Sequence, residues 1–103
     1  MGQSDYKIRP LAEADLDGHA EYIAKDNLEA GIRLYECAEQ TYQALAEMPH
    51  LGVIYQSSKA ELVGMRFFPI QDFPRYLVFY LPMEGGVDII RVLHARMDKD
   101  EWL

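Results

Sequence analysis

The spacing of apolar side chains predicts two consecutive helices in the first half of the chain. The first extends over residues 11 to 25, where apolar residues recur every three or four positions. The second follows Asn27, a residue well suited to cap the start of a helix, and ends near Glu47. Its apolar stripe consists of Gly31, Leu34, Tyr35, Ala38, Tyr42 and Leu45. Because the break between the helices is short, they are expected to form a hairpin.

Outside this region the pattern changes to short runs that are typical of strands. A strand is predicted at Tyr6-Lys7-Ile8-Arg9, before the helices. Three β-branched and aromatic strands are predicted after the helices, over residues 62–68, 75–81 and 87–94. The predicted fold is a single α+β domain over residues 1–103, in the order β-α-α-β-β-β. Its sheet is expected to be antiparallel, with the N-terminal helical hairpin packed on one face.

Composition agrees with one compact protein. The chain has 103 residues and 50% hydrophobic side chains, which suits a single core. The lone cysteine, Cys37, cannot form an internal disulfide and is expected to be a small buried filler. We see no signal peptide, and the longest apolar run is far shorter than the roughly 20 residues that cross a bilayer. These features predict a cytoplasmic protein without membrane contact.

The distribution of charge excludes several classes of function. The net charge is −7, and no basic stripe is present of the kind that displaces counterions from phosphates. Direct nucleic-acid binding is therefore not expected. The three histidines, His19, His50 and His94, are too scattered to suggest a zinc site, and no glycine-rich phosphate loop is present. We accordingly expect no metal and no cofactor.

The last predicted strand carries charged residues in an apolar setting, and this is the main candidate for a functional site. Arg91 follows two isoleucines, and His94 and Arg96 end the same segment. A charge at a buried strand needs an internal partner or an external ligand. Asp88, Asp72 or a carboxylate of another protein are candidate partners of Arg91. His94 is either a hydrogen-bonded structural group or a proton-transfer group, which Asp98 could orient.

Six segments of the sequence occur in an order that is similar to the order in a known protein family. They lie at residues 10–16, 22–26, 45–52, 64–69, 76–80 and 90–94, and include the segments Gly64-Met65-Arg66-Phe67-Phe68-Pro69 and Ile90-Arg91-Val92-Leu93-His94. Together they resemble the ParE toxins of bacterial toxin–antitoxin pairs. These toxins are a branch of the superfamily that also contains the ribosome-dependent RelE ribonucleases.

The resemblance implies a toxin that inhibits DNA gyrase by protein contact and catalyses nothing itself. It also implies a cognate ParD-like antitoxin, a ribbon-helix-helix protein whose C-terminal segment folds onto the toxin in a hetero-oligomer. The residues expected to face the target are Arg91, His94, Arg96, Met97 and Trp102. Those expected to contact the antitoxin are Leu16, Tyr22, Ile23, Tyr35, Arg66 and Phe68.

Two alternatives remain open from the sequence. The first is a RelE-type endoribonuclease that would use Arg66, His94 and Arg96 on messenger RNA. Trp102 resembles in position a tyrosine of those ribonucleases, but it has no hydroxyl for proton transfer, which argues against this chemistry. The second is an inactive family member that is retained as an antitoxin-binding or regulatory component.

Overall fold

The computed structural model describes residues 5–103. Its elements are β1 (Asp5–Ile8), α1 (Pro10–Ala24), α2 (Leu28–Glu47), β2 (Val53–Ile54), β3 (Arg66–Ile70), β4 (Phe73–Met83), β5 (Gly86–His94) and α3 (Lys99–Trp102). The five strands form one sheet in the order β1-β5-β4-β3-β2. The helices α1 and α2 pack together on one face of this sheet. The predicted α+β fold with an N-terminal helical hairpin is therefore confirmed.

The ends of the two long helices follow from local chemistry. Pro10 opens α1, where its missing N–H is not needed. The side chain of Asn27 caps α2 by accepting a hydrogen bond from the backbone N–H of Ala30 at 3.1 Å. At its other end α2 stops at Glu47, one residue before Met48-Pro49. The helical part of the sequence prediction is confirmed to within a residue or two.

The sheet is mixed, not wholly antiparallel as the sequence led us to expect. β1 pairs with β5 in the parallel direction, with Asp5 opposite Gly86 and Ile8 opposite Ile89. The other strand pairs are antiparallel. The chain between β1 and β5 contains the helical hairpin and the other three strands, so it is long enough for the crossover that a parallel pair requires. Apolar alternation shows which side chains face inward but not the direction of the neighbouring strand, so the sequence pattern could not reveal this pairing.

Two further differences concern the region between α2 and β4. β3 begins at Arg66, later than the predicted residue 62, because Ala60–Leu62 forms a single 3₁₀ turn. The edge strand β2, Val53–Ile54, was not predicted. Both its residues are exposed, so it carries no alternating pattern by which a strand is recognised.

A bulge in β5 changes which of its later side chains face the helices. Phe79 pairs with Arg91 and Tyr80 with Ile89, which leaves Ile90 as the extra residue. Ile89 belongs to the core beneath the helices and Ile90 to a second cluster on the opposite face, as in a regular strand, but after the bulge it is Val92 and not Arg91 that returns to the core. That second cluster is closed by the segment after β2 and by the C-terminus. Its buried members are Leu62, Met65, Phe79, Ile90 and Leu93.

The buried hydroxyl of Tyr80 has two hydrogen-bond partners at the end of α2 and in the loop after it. The hydroxyl of Tyr80 donates to the carbonyl of Pro49 at 2.8 Å and accepts from the N–H of Gly52 at 2.8 Å. These bonds tie the end of α2 to the centre of the sheet. Cys37 is buried in the helical face of the core, as predicted.

Candidate functional site

The side chain of Arg91 is held inside the protein by an acid on the first helix. Its Nε donates to Oδ2 of Asp15 at 2.7 Å and its Nη2 to Oδ1 at 2.8 Å. The two side chains are only 11% and 14% exposed. The pKa of Arg91 is raised, first by this hydrogen bonding and then by the charge of Asp15, so the guanidinium stays fully charged.

The acids proposed from sequence as partners of Arg91 have other partners, and that interpretation was wrong. Asp88 binds Arg9 with an O–N distance of 2.8 Å, and Asp72 binds Arg33 at 2.6 Å. Both pairs lie near the surface. The true partner of Arg91 could not be chosen from sequence, because it depends on how the first helix crosses the sheet.

Helix α1 also provides hydrogen-bond partners for backbone groups of β5 that β1 does not reach. β1 ends at Ile8, so it does not reach the backbone of Val92. There Asp15 Oδ2 accepts from the N–H of Val92 at 3.0 Å, and His19 Nε2 donates to its carbonyl at 2.8 Å. Asp15 and His19 lie four residues apart on α1, on the same side of the helix. They replace the hydrogen bonds that a longer first strand would have made.

Arg91 also positions the C-terminal helix. Its Nη1 donates to the carbonyl of Trp102 at 2.7 Å, and its guanidinium carbon lies 5.8 Å from the centre of the Trp102 ring. Tyr55 donates to Asp100 at 2.6 Å, and Lys59 donates to the carbonyl of Leu103. These contacts hold α3 against the outer face of the sheet. Arg91 is therefore a positioning residue for the end of the chain.

His94 is oriented by the turn that follows it. Its Nδ1 accepts a hydrogen bond from the backbone N–H of Arg96 at 3.1 Å. Asp98, which sequence suggested as the orienting group, instead caps α3 by accepting from the N–H of Asp100 at 3.1 Å. The prediction that Asp98 orients His94 was therefore wrong. The sulfur of Met97 accepts from the N–H of His94 at 3.3 Å and completes the turn.

The imidazole of His94 lies among positive charges. Burial is the main cause that lowers its pKa, and the charges of Arg96, His19, Arg75 and Lys99 lower it further. The ring packs edge-on against Tyr76, with centroids 5.0 Å apart. The neutral form is therefore favoured at neutral pH.

We call the group Arg75, His94, Arg96 and Lys99 the strand-end cluster. The N–H of Ala95 donates to the carbonyl of Arg75 at 2.7 Å, and Lys99 donates to the carbonyl of Ala95. Within residues 5–103, none of Arg75, Arg96 and Lys99 forms an ion pair. Sequence reasoning missed Arg75 and Lys99. Arg75 could have been found from the expected antiparallel pairing of the last two long strands, which sets it beside the residues after His94.

The residues expected to contact an antitoxin lie in two environments. Leu16 is buried, and Ile23 and Phe68 pack against the same helix-facing core. Tyr22 and Tyr35 are exposed, at 68% and 43%. They are not on one surface, because Tyr35 donates to Asp17 at 2.6 Å, and positions 17 and 22 point about 140° apart around α1.

Sequence reasoning missed two exposed apolar residues beside Tyr35. Leu28 and Ile32 precede it on α2 at spacings that set all three on one side of the helix. The pattern was visible in the sequence, but Tyr35 was assigned to the buried stripe. The hydrogen bond to Asp17, followed by burial, raises the pKa of Tyr35 to about 12.

Comparisons with known proteins decide the family. The family model described as "ParE toxin of type II toxin-antitoxin system, parDE" matches residues 6–99. The chain belongs to the ParE toxin family. A solved structure titled "Chromosomal ParDE TA system from P. aeruginosa" has the same fold, with a TM-score of 0.70 and 15% sequence identity. The match covers 89% of this chain and 96% of that one. No curated protein sequence matches this chain.

Membership makes this ParE-family chain the toxin component of a parDE-type pair, and it supports a ParD-like antitoxin as partner. The ribonuclease alternative requires Arg66 to act together with His94 and Arg96. Arg66 Nη1 donates to the carbonyls of Gly52 at 2.7 Å and His50 at 3.3 Å. Arg66 is therefore bound to the loop after α2, away from the strand-end cluster.

The register gives the distance between Arg66 and His94. Arg66 lies opposite Tyr80 on β4, whereas His94 lies opposite Tyr76 on the other side of that strand. Their backbones are therefore separated by about 13 Å along the strands and about 10 Å across them. The structure brings His94 and Arg96 together but leaves Arg66 apart.

Within residues 5–103, no three His, Cys, Asp or Glu side chains are grouped so that they could hold a metal ion. In the same part of this ParE-family chain, no helix is long and apolar enough to span a membrane.

Proposed function

We propose that this ParE-family toxin inhibits DNA gyrase by protein contact, without catalysis, and is neutralised by a cognate ParD-like antitoxin in a cytoplasmic hetero-oligomer. The observation that carries the proposal is the strand-end cluster. It gathers Arg75, Arg96 and Lys99, none of them in an ion pair, in a chain whose net charge is −7. Cations that form no ion pair within residues 5–103 suit recognition of an anionic surface on a partner.

The target-facing surface consists of His94, Arg96, Met97 and Trp102, extended by the other members of the cluster. Arg96 and Trp102 are exposed, and His94 and Met97 are half-buried. Arg91 supports this surface from below, because it fixes the position of Trp102. Exposed tryptophan and arginine are the side chains most often found at energetic centres of protein interfaces.

The antitoxin-facing surface includes two sides of the helical hairpin. Tyr22 and Tyr35 offer exposed rings on different sides, and Leu16, Ile23 and Phe68 pack in the core beneath the helices. Arg66 lies apart from them, at the loop after α2. A disordered antitoxin segment that folds on contact would gain its binding energy from such apolar anchors. Leu28 and Ile32 extend this surface beyond the residues expected from sequence.

Ribonuclease chemistry receives less support from the geometry. General acid–base cleavage needs its groups within reach of one phosphate. Arg66 lies roughly 16 Å from His94 by the register, and its guanidinium is bound to backbone carbonyls. In addition, Nδ1 of His94 is occupied by the N–H of Arg96.

The test is inhibition of DNA supercoiling by purified gyrase. The wild-type chain is expected to inhibit at stoichiometric concentrations, and the double variant Arg75→Ala/Arg96→Ala is expected to lose at least about tenfold in potency, since each lost charged contact at an interface costs on the order of 1 kcal/mol. The matched control is Lys7→Ala/Lys25→Ala, which removes two exposed charges elsewhere on the surface. If the two double variants inhibit supercoiling with equal potency, the cluster is not part of the target-facing surface.

A translation-coupled cleavage assay separates the rival function. Added to translating ribosomes, the toxin is expected to leave messenger RNA intact while gyrase is inhibited in the parallel reaction. Cleavage of messenger RNA with no effect on gyrase would overturn the proposal and favour a RelE-type endoribonuclease.

Antitoxin binding is tested with the product of the reading frame beside the toxin gene, provided that it encodes a ribbon-helix-helix protein. Ile32→Glu adds a charge to the exposed apolar side of α2 and is expected to weaken the complex, whereas Glu29→Gln on the same helix is the control. Unchanged affinity of the Ile32 variant would exclude this side of the helix from the interface.

A further inference from the structure

A half-open cavity of about 340 Å³ lies where α1, α2 and β1 meet. Its wall contains three tyrosines, Tyr6, Tyr35 and Tyr42. The rings of Tyr6 and Tyr42 are 5.5 Å apart and tilted by 57°. An aromatic wall of this kind presents electron-rich ring faces, which attract cations.

The rim of the same cavity is acidic. Glu13 and Asp17 come from α1 and Glu39 from α2, and no lysine, arginine or histidine among residues 5–103 lines the cavity. Within residues 5–103, none of the three acids takes part in an ion pair. Glu39 is close enough to help raise the pKa of Tyr6, after burial of that tyrosine. In the described part of the chain, the acids therefore give the cavity a negative potential that no lining cation balances.

An unsatisfied polar group gives an independent indication of a ligand. Tyr42 is only 2% exposed, and its hydroxyl is the one buried side-chain polar atom without a hydrogen-bond partner in residues 5–103. Buried hydroxyls normally have a partner, because burial without one costs free energy. Burial also raises the pKa of Tyr42, so the hydroxyl stays protonated and offers its lone pairs to a donor.

We propose that this cavity binds the basic side chain of a partner polypeptide, either a lysine ammonium or an arginine guanidinium. The charged head would lie between the rim carboxylates, near the ring of Tyr6, and would donate to the unsatisfied hydroxyl of Tyr42. The alkyl stem would pack against Leu16 and Ile8, which form the apolar part of the wall. This site is separate from the strand-end cluster and does not require that gyrase be the target.

A polypeptide fits better than a free amine, because the acidic surface continues beyond the cavity. A second hollow of about 550 Å³ shares Tyr6 and Glu39 with the first and is lined along α2 from Glu36 to Gln43. A small amine would fill only the first hollow. An extended segment with a basic side chain would occupy both.

The test is a titration of the full-length chain, followed by NMR through the tyrosine ring resonances. The probes are the blocked pentapeptide Ala-Ala-Lys-Ala-Ala, the same peptide with norleucine in place of lysine, and n-butylammonium. The lysine peptide is expected to shift the rings of Tyr6 and Tyr42 in a saturable way. The norleucine peptide, which keeps the stem but lacks the charge, is expected to bind at least about tenfold more weakly.

The variants Glu13→Gln/Glu39→Gln and Glu29→Gln/Glu47→Gln complete the design. All four glutamates are exposed, so both proteins are expected to keep the wild-type circular dichroism spectrum. Only the first pair should weaken binding of the lysine peptide, again by about tenfold, because it removes charge at the rim. The second pair changes the net charge equally and should bind as wild type does.

Three outcomes would overturn the proposal. If the norleucine peptide binds as well as the lysine peptide, the cavity is an apolar pocket without charge selection. If no probe shifts the rings of Tyr6 and Tyr42 at millimolar concentrations, the cavity is not a binding site for a basic side chain. If n-butylammonium binds as tightly as the lysine peptide, the ligand is a free amine and the polypeptide assignment fails. The supercoiling assay is independent of all three.

Discussion

Asp15 and Arg91 form a two-bonded ion pair that joins the first helix to the last strand, although they are 76 positions apart in the chain. The pair is nearly enclosed, and Asp15 accepts a third hydrogen bond from the backbone of Val92. Arg91 in turn holds the carbonyl of Trp102. One helix position therefore determines both how α1 lies on the sheet edge and where the C-terminus is placed.

Replacement of Asp15 by alanine is expected to destabilise the fold by about 3 kcal/mol. The change leaves the guanidinium of Arg91 enclosed without a counter-charge and removes the acceptor of the Val92 N–H. The measurement is urea denaturation followed by circular dichroism. A loss below about 1 kcal/mol would mean that the pair is solvated in solution.

The control for this experiment is the pair Arg33 and Asp72, in which both side chains are about half exposed. Asp72→Asn keeps a residue type that tolerates the positive φ of 66° at this position. Because solvent screens an exposed pair, this variant is expected to lose no more than about 1 kcal/mol.

Two glycines in the long helices give a second prediction. Replacement by alanine should destabilise the fold at one of them and stabilise it at the other. A Cβ at Gly31 would lie 2.8 Å from the carbonyl oxygen of Ala20 and from the Cβ of Ala24, so Gly31→Ala must push α1 and α2 apart. A Cβ at Gly18 would meet nothing within 4 Å. Gly31→Ala is expected to lower the free energy of unfolding by about 1–3 kcal/mol, and Gly18→Ala to raise it by about 0.5–1 kcal/mol. Thermal unfolding of both variants checks the signs, and a stabilised Gly31 variant would show that the helices are not closely packed at this point.

Features that depend on neighbours in sequence were predictable for this chain. The side-chain cap of Asn27 and the helix stop before Pro49 needed only local chemistry, and both were correct. The sequence also indicated that candidate functional residues lie at the end of β5 and just after it, because charged residues interrupt an apolar run there. His94 and Arg96 are indeed adjacent in space.

Features that depend on the arrangement of elements were not predictable. The partner of Arg91 was misassigned because the crossing of α1 over the edge of β5 cannot be read from periodicity. The bulge at Ile90 has no sequence signal, since it is defined by the pairing of β5 with β4.

The environment of His94 gives a pH dependence whose sign can be stated. Its pKa in the folded protein lies below the ordinary value of about 6.5 that the unfolded chain has, chiefly through burial and then through the charge of Arg96. The unfolded state therefore binds more protons than the folded state between these two pKa values. The stability that comes from neutral His94 is complete above about pH 6.5 and decreases as the pH falls through this window.

We expect the free energy of unfolding to decrease from about pH 7.5 to about pH 5.5, and His94→Gln to make that decrease smaller, because glutamine takes up no proton. NMR titration of the His94 ring should give a midpoint below its ordinary value. Arg96→Ala should move the midpoint upward, since one of the charges that disfavour the imidazolium is removed. Lys7→Ala, an exposed change on β1 opposite Asp88 and far from His94 along β5, is the control and should not move it. A midpoint at or above about 6.5 in the wild type would show that His94 is solvated, and the positive cluster would then exert no field on it.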